Sequence, residues 1–269
     1  VQYIAERYHN TEIIITENRL QIPFDKTARN IQIITAATIE KLPAKSINEV
    51  LNLIAGVDIR QRGPFGTQAD ISIDGGSFEQ TLILLNGIKI SDAQTAHHSL
   101  NIPVPLDAIE RIEVLKGASA RIYGINALTG AVNIVTKKVK NNSLNANLYA
   151  GSSFKNKEQN DGNGMYWGGG AQIYGTVFKE SHNHLIAFSK DEYNGQRYNS
   201  ASDTYKGFYQ NQIDLNSKNN LQVMAGYIHN AFGANGFYAA PGDKESFEIV
   251  NTALASIGSS HKITENFTL

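Results

Sequence analysis

Hydrophobic and polar positions follow two different rhythms along this chain, and the change falls near residue 140. In SINEVLNLIAG (46–56), Ile47, Val50, Leu51 and Ile54 recur at helical spacing. Ser46 and Glu49 form the Ser-x-x-Glu pattern of a capping box, and Gly56 stands where a helix stops. ADISIDGG (69–76) and QTLILLNGIKI (80–90) read as strands flanking a glycine turn. RIEVLKG (111–117) and GAVNIVTK (130–137) read as two more strands, with a tight glycine-bounded turn of helix at Ser119–Tyr123 between them. Together these segments predict a small α+β domain.

Beyond residue 140 the period becomes two. Leu144, Ala146, Leu148 and Ala150 alternate with Asn145, Asn147 and Tyr149. Tyr209, Ile213 and Leu215 alternate with Gln210, Gln212 and Asp214, and Leu221, Val223, Ala225 and Tyr227 continue the habit. This predicts antiparallel strands with one apolar and one polar face. The connectors carry a second pattern. Those at 155–164, 194–203 and 232–246 are long, and those at 179–183, 216–220 and 261–266 are short. Strict alternation of short turns and long loops is the rhythm of an outer-membrane β-barrel. A soluble β-sandwich would match the strands, but the loop rhythm would then be an accident. Six or seven strands leave an open edge, which a spanning sheet cannot have. The chain is therefore expected to be the N-terminal fragment of a longer one.

Composition sharpens this division. Six of the 24 aromatic residues lie in 1–140 and 18 in 141–269, whereas five of six prolines precede residue 140. The KKVKNN stretch at the change reads as a short linker. Lys+Arg total 24 against Asp+Glu 25, which argues against a nucleic-acid partner. The chain has no cysteine, so disulfides and thiolate metal sites are excluded. No apolar run reaches the roughly 18–20 residues of a spanning helix, which leaves a barrel open.

RIEVLKGASARIYGINALTGAVNIVTKK (111–138) resembles the closing motif of the plug domain in TonB-dependent outer-membrane receptors, cobalamin and siderophore receptors among them. Other matches follow in the family's order. TEIIITENR (11–19) resembles the TonB box and its continuation, SINEVLNLIAGVDIRQRG (46–63) the plug helix and following strand, and QTLILLNGIKI the strand–Asn-Gly–strand hairpin. The resemblance implies a TonB-box segment over 1–19, a plug over 20–140, and the first six to seven strands of a barrel of about 22 strands over 141–269. One departure stands out. The family often has Ile-Arg-Gly where this chain has Ile73-Asp74-Gly75, and that arginine commonly ties plug to wall. Arg111 still matches the second motif arginine, so Arg111 and Glu113 are the expected plug–barrel contacts.

Candidate chemistry follows from these segments. Glu12, Ile13, Ile14, Ile15 and Thr16 have the β-branched, extended character of a peptide that adds as a strand to a partner's sheet, and the resemblance makes that partner TonB. The stretches 60–68 and 91–101 carry turn residues, and by resemblance they form the plug's outward apices beneath the substrate. Arg62, Phe65, Gln68, Gln94, His97 and His98 are their candidate ligand contacts, with Phe237 and Tyr238 from the longest loop. His97 and His98 are adjacent, so on an extended chain they face opposite ways and suit a shared metal poorly. His182 and His184 share a strand face but lack a carboxylate partner. Gly117–Arg121 misses the nucleophile elbow, and no Walker or HExxH motif is present, so neither catalysis nor a cofactor is expected. The resemblance implies active transport of a ferric siderophore, haem or cobalamin across the outer membrane of a Gram-negative bacterium, with membrane lipid around the barrel. A soluble periplasmic or surface module binding a carbohydrate or protein is the alternative.

Overall fold

The computed structural model describes residues 31–268 except 64–66, 93, 118–124, 236–243 and 265–266. The expected TonB-box residues 12–16, the ligand candidates Phe65, Phe237 and Tyr238, and the helical turn at Ser119–Tyr123 lie outside the described residues.

The first domain is built on a five-stranded sheet. β1 (Ile31–Thr35), β6 (Ile109–Lys116), β7 (Gly130–Thr136), β4 (Thr81–Leu85) and β5 (Ile88–Ile90) lie side by side in that order. β4 and β7 run parallel at its centre, and every residue of both is buried. Central strands covered on both faces read as unbroken apolar runs, which is why TLILL and GAVNIVT do not alternate. Ile83, Leu85, Ile112, Val114, Val132 and Ile134 pack into the main core. Leu82, Leu84, Leu115 and Ala131 fill a smaller cluster with Ile31 on the opposite face. At the β4–β5 turn, Asn86 and Gly87 both have positive φ, 51° and 80°, the pair of left-handed residues that a two-residue hairpin requires.

β2 (Val57–Gln61) and β3 (Ala69–Ile73) form a separate hairpin. The stretches 69–76 and 80–90 therefore do not pair across their glycine turn. Asp74 and Gly75, with φ of 49° and 83°, turn the chain out of one sheet and into another. Helix α1 (Ala36–Ile39) follows β1, and α2 (Ile47–Leu51) precedes β2. Ser46 caps α2 as its sequence predicts, its hydroxyl accepting from the Glu49 N–H at 3.3 Å. Glu49 reaches one residue further back than the standard box, accepting from the Lys45 N–H at 2.6 Å. The helix is a five-residue piece, shorter than its apolar pattern suggests. Val50 and Leu51 are fully buried, a contribution of about 1.5–3 kcal/mol each.

The second half is a seven-stranded antiparallel meander: β8 (Ser143–Asn156), β9 (Met165–Phe178), β10 (His182–Tyr193), β11 (Ser202–Asn216), β12 (Asn219–Gly233), β13 (Phe247–Thr264) and β14 (Phe267–Thr268). Each strand pairs with its neighbour in sequence. The strand bounds reproduce the predicted alternation, with tight turns after β9 and β11 and longer loops after β8, β10 and β12. Side chains alternate faces as period two demands. In β10, Leu185, Ala187, Ser189, Asp191 and Tyr193 are buried toward the first domain, while Ile186 and Phe188 point away. That outward face carries Leu144, Leu148, Ile173, Ile186, Phe188, Ile249 and Ile257, all exposed, and no second layer covers it among the described residues. A continuous apolar surface on one sheet face suits contact with lipid rather than water.

The first domain packs against the inward face of this wall. Leu185, Ala187, Phe208 and Met224 join the core formed by its own sheets and helices. Gly226 admits a close approach, since a Cβ there would lie 2.7 Å from Cγ of Pro103.

Candidate functional site

The stretches predicted as apices come together at the long-loop end of the wall. β2 and β3 continue their ladder past Gln61, with Arg62 N–H donating to the Gln68 carbonyl at 3.1 Å. Thr67 closes the loop, its hydroxyl accepting from Gly63 N–H and donating to the Gly63 carbonyl, each at 2.8 Å. In the second apex, Asp92 accepts from the N–H groups of Gln94 and Thr95 at 3.1 Å and from the Thr95 hydroxyl at 2.7 Å. Burial opposes ionisation of Asp92, but these donors outweigh it and hold its carboxyl below the usual range.

Asp70 joins the two apices. Its carboxylate meets His97 Nδ1 at 2.8 Å, accepts from Gln68 Nε2 at 2.8 Å, and lies 3.9 Å from the Arg62 guanidinium. Gln68 Nε2 also donates to the His97 carbonyl at 3.2 Å. The His97 ring stacks on Phe78, centroids 4.3 Å apart. Three predicted ligand contacts, Arg62, Gln68 and His97, thus share one carboxylate that the sequence reading did not select. The polar position in the apolar alternation of ADISI was its available signal. His98 turns elsewhere, its Nε2 2.9 Å from Glu248 of β13. The adjacent histidines serve different carboxylates, one in the first domain and one on the wall. Gln94 is exposed at the surface of its loop. Gln68 is buried beneath this surface, which offers the Arg62 guanidinium, the His97 imidazole and the Gln94 amide around a fixed hub, chemistry suited to holding a polar ligand by hydrogen bonds and charge.

Besides the His98–Glu248 contact, the first domain is fastened to the wall largely by hydrogen bonds between uncharged groups. Asn86 Nδ2 donates to Gln210 Oε1 of β11 and to the Thr136 hydroxyl, each at 3.0 Å, and the Thr136 hydroxyl donates to the same Gln210 oxygen at 2.6 Å. Asn101 donates to the Thr252 hydroxyl of β13 at 2.9 Å. Gln172 of β9 accepts from Asp107 N–H and donates to the Lys45 carbonyl, both at 3.2 Å. At the short-turn end, Lys137 donates to the Tyr174 hydroxyl at 3.0 Å.

The sequence reading expected Arg111 and Glu113 to meet the barrel. The structure places them in a pair with each other, Arg111 Nε to Glu113 Oε1 at 2.7 Å, within the five-stranded sheet. Asn133, the cross-strand partner of Glu113, donates to its second oxygen at 2.9 Å and accepts from Gly87 N–H at 2.9 Å. Asp74 lies 3.8 Å from the Lys116 ammonium, also within the first domain. His182 and His184 share an outward strand face, and His184 Nδ1 meets the Tyr209 hydroxyl at 2.9 Å.

Residues 23–131 match the family described as TonB-dependent Receptor Plug Domain. A vitamin B12 transporter BtuB of Vibrio cholerae serotype O1 is 36% identical over 125 residues, which is 46% of this chain and 20% of that protein. The siderophore receptor PirA from Pseudomonas aeruginosa superposes with a TM-score of 0.65 at 21% identity, covering 88% of this chain and 38% of its own. The ferric citrate transporter FecA in its unliganded form superposes with a TM-score of 0.72 at 18% identity, over 88% of this chain and 38% of its own. The chain therefore spans about a fifth of the curated relative's length, and its fold is that of a plug with adjoining barrel strands.

Proposed function

We propose that this chain, a TonB-dependent receptor by its plug domain, serves energised uptake of a scarce, bulky nutrient across the outer membrane of a Gram-negative bacterium. One observation carries the reading: the plug fills the inward face of the wall, while its two tied apices sit at the long-loop end. Short turns on such barrels face the periplasm and long loops face outside. The apices are then the first plug surface that an incoming ligand meets. Arg62, Gln94, His97 and His98 supply its contacts, with the buried Gln68 bracing them from behind and Phe65, Phe237 and Tyr238 as aromatic candidates. The substrate class is a metal chelate or corrin, as the names of the similar proteins suggest: vitamin B12, a siderophore, ferric citrate. A ligand of that size cannot pass while the plug is seated. Release requires work, supplied by TonB pairing with Glu12–Thr16 as an added strand.

The test uses the full-length receptor in cells. Ferric siderophores, haem and cobalamin are offered in turn, with and without a proton uncoupler, to the native protein and to a deletion of residues 12–16. One ligand should be bound by both proteins and taken up only by the native one, only while the gradient stands. Normal uptake by the deletion would sink the proposal.

A further inference from the structure

Two cavities line the same stretch of wall. One, of about 240 Å³, lies at the short-turn end between α1 and β8–β9, bordered by Glu40, Asp107, Lys137, Asn145, Asn147 and Gln172. The other, of about 330 Å³, lies toward the long loops, bordered by Tyr149, Gly151, Tyr166, Gly168, Tyr193 and Gln196. Lys45 borders both. The inward residues of β8 run in sequence from Asn145 through Asn147 and Tyr149 to Gly151 and Ser153, about 27 Å at ~3.4 Å per residue. The two spaces are therefore consecutive along one strand.

The wall here is shaped to leave room. β9 reads Gly168-Gly169-Gly170, and the tyrosines of the neighbouring strands lie across it instead of standing up from the sheet. The Tyr149 ring crosses Gly170, whose Cβ position would be 2.6 Å from the tyrosine hydroxyl, and bonds to Asp191 on the far side. The Tyr193 ring covers Gly168 in the same way. Any side chain at these glycines would lift a ring into the space between wall and plug.

Lys45 closes the passage with two contacts of different kinds. Its carbonyl accepts from Gln172 at 3.2 Å, and its ammonium sits 5.0 Å from the centroid of the Tyr149 ring. Both contacts belong to the short connection between α1 and α2, and neither is a buried charge pair. From these observations we infer that the two cavities are one interrupted passage along β8–β9, and that Lys45 is the bolt that divides it. The inference rests on the transport reading. Under it, pulling the N-terminal segment strips the edge strand β1 from β6, then moves α1 and its connection, draws Lys45 off Gln172 and Tyr149, and joins the two spaces. The ligand then slides along a lining of tyrosine faces, amides and glycine backbone.

The chain has no cysteine, which permits a direct test. In the full-length receptor, freed of any other thiol, Asn147→Cys on the passage and Ser256→Cys on β13, which borders neither cavity, are made separately. Cells are treated from outside with a membrane-impermeant maleimide while cyanocobalamin, ferric citrate or haem is offered, with and without an uncoupler, and uptake is followed in parallel. Asn147→Cys should label several-fold faster when substrate and gradient are both present, and Ser256→Cys should not change. Adding Lys45→Met, which keeps the stem and removes the charge, should raise labelling of Asn147→Cys without the gradient, and Lys45→Arg should restore the native rate. Energised uptake with Asn147→Cys labelling unchanged overturns the passage and leaves the transport reading standing. An absence of energised uptake for every substrate overturns the transport reading, and the passage with it.

Discussion

Asp70 of one apex and His97 of the other meet at 2.8 Å, although 27 residues separate them. This contact makes two loops into one surface. Replacing Asp70 with Ala removes the shared acceptor of Gln68 and His97 and the nearby counter-charge of Arg62. A hydrogen bond to a charged group contributes about 1.5–3 kcal/mol, so capture should weaken by roughly tenfold to a hundredfold. Uptake at saturating ligand should persist, because the plug core is untouched. Equilibrium binding and uptake on the same cells check this, and unchanged affinity would remove Asp70 from the site.

The Arg111–Glu113 pair predicts a stability effect in the plug. Glu113 is fully buried and holds both Arg111 and Asn133. Glu113→Gln keeps the shape but takes the carboxylate from a largely buried guanidinium, a loss of about 3–5 kcal/mol. Chemical denaturation of the purified full-length receptor should show the plug transition moved by that amount, with the barrel transition in place.

Glu49 predicts a pH dependence. Burial raises its carboxyl above the usual range, against donation from the N–H groups of Lys45 and Ser46. A raised folded-state value means that the protonated form favours the fold. That contribution is whole below about pH 4, the unfolded value, and is lost as pH rises through the folded value. Glu49→Gln keeps an acceptor for Lys45 and carries no charge. It should be more stable than the native plug at about pH 7, and the difference should close as pH falls toward about 4. Thermal melts across that range test the sign. A variant less stable at neutral pH would show that the helix N-terminus needs the anion.

Locally encoded features were legible in the sequence. Period-two alternation fixes which face each wall strand presents, so the exposed Leu144 and Leu148 and the buried Leu185 and Ala187 follow from spacing. The Ser46 cap and the Asn86-Gly87 turn are short-range chemistry, and both form where the residues place them. Arg111 and Glu113 are two apart on one strand, which puts them on one face, and their mutual pairing was readable on that ground. Contacts set by topology were not legible. Nothing local joins Asp70 to His97, which depends on how two loops of the plug meet, or Asn86 to Gln210 and Lys45 to Gln172, which depend on how the plug is rotated inside the wall. The apices were found as a region through their turn residues and family order, but their hub was not.

The alternation of connector lengths also separates two kinds of change over evolutionary time. The tight turns after β9 and β11 hold neighbouring strands in register, so an inserted residue there would slide every side chain to the wrong face. The loops after β8, β10 and β12 lie at the other end, where lengthening a loop adds little closure entropy and disturbs no pairing. Insertions can therefore accumulate on the long-loop rim while the bore and the plug's seat stay constant. Under the transport reading, a receptor of this plan changes its diet by growing its loops, with the same machine beneath them.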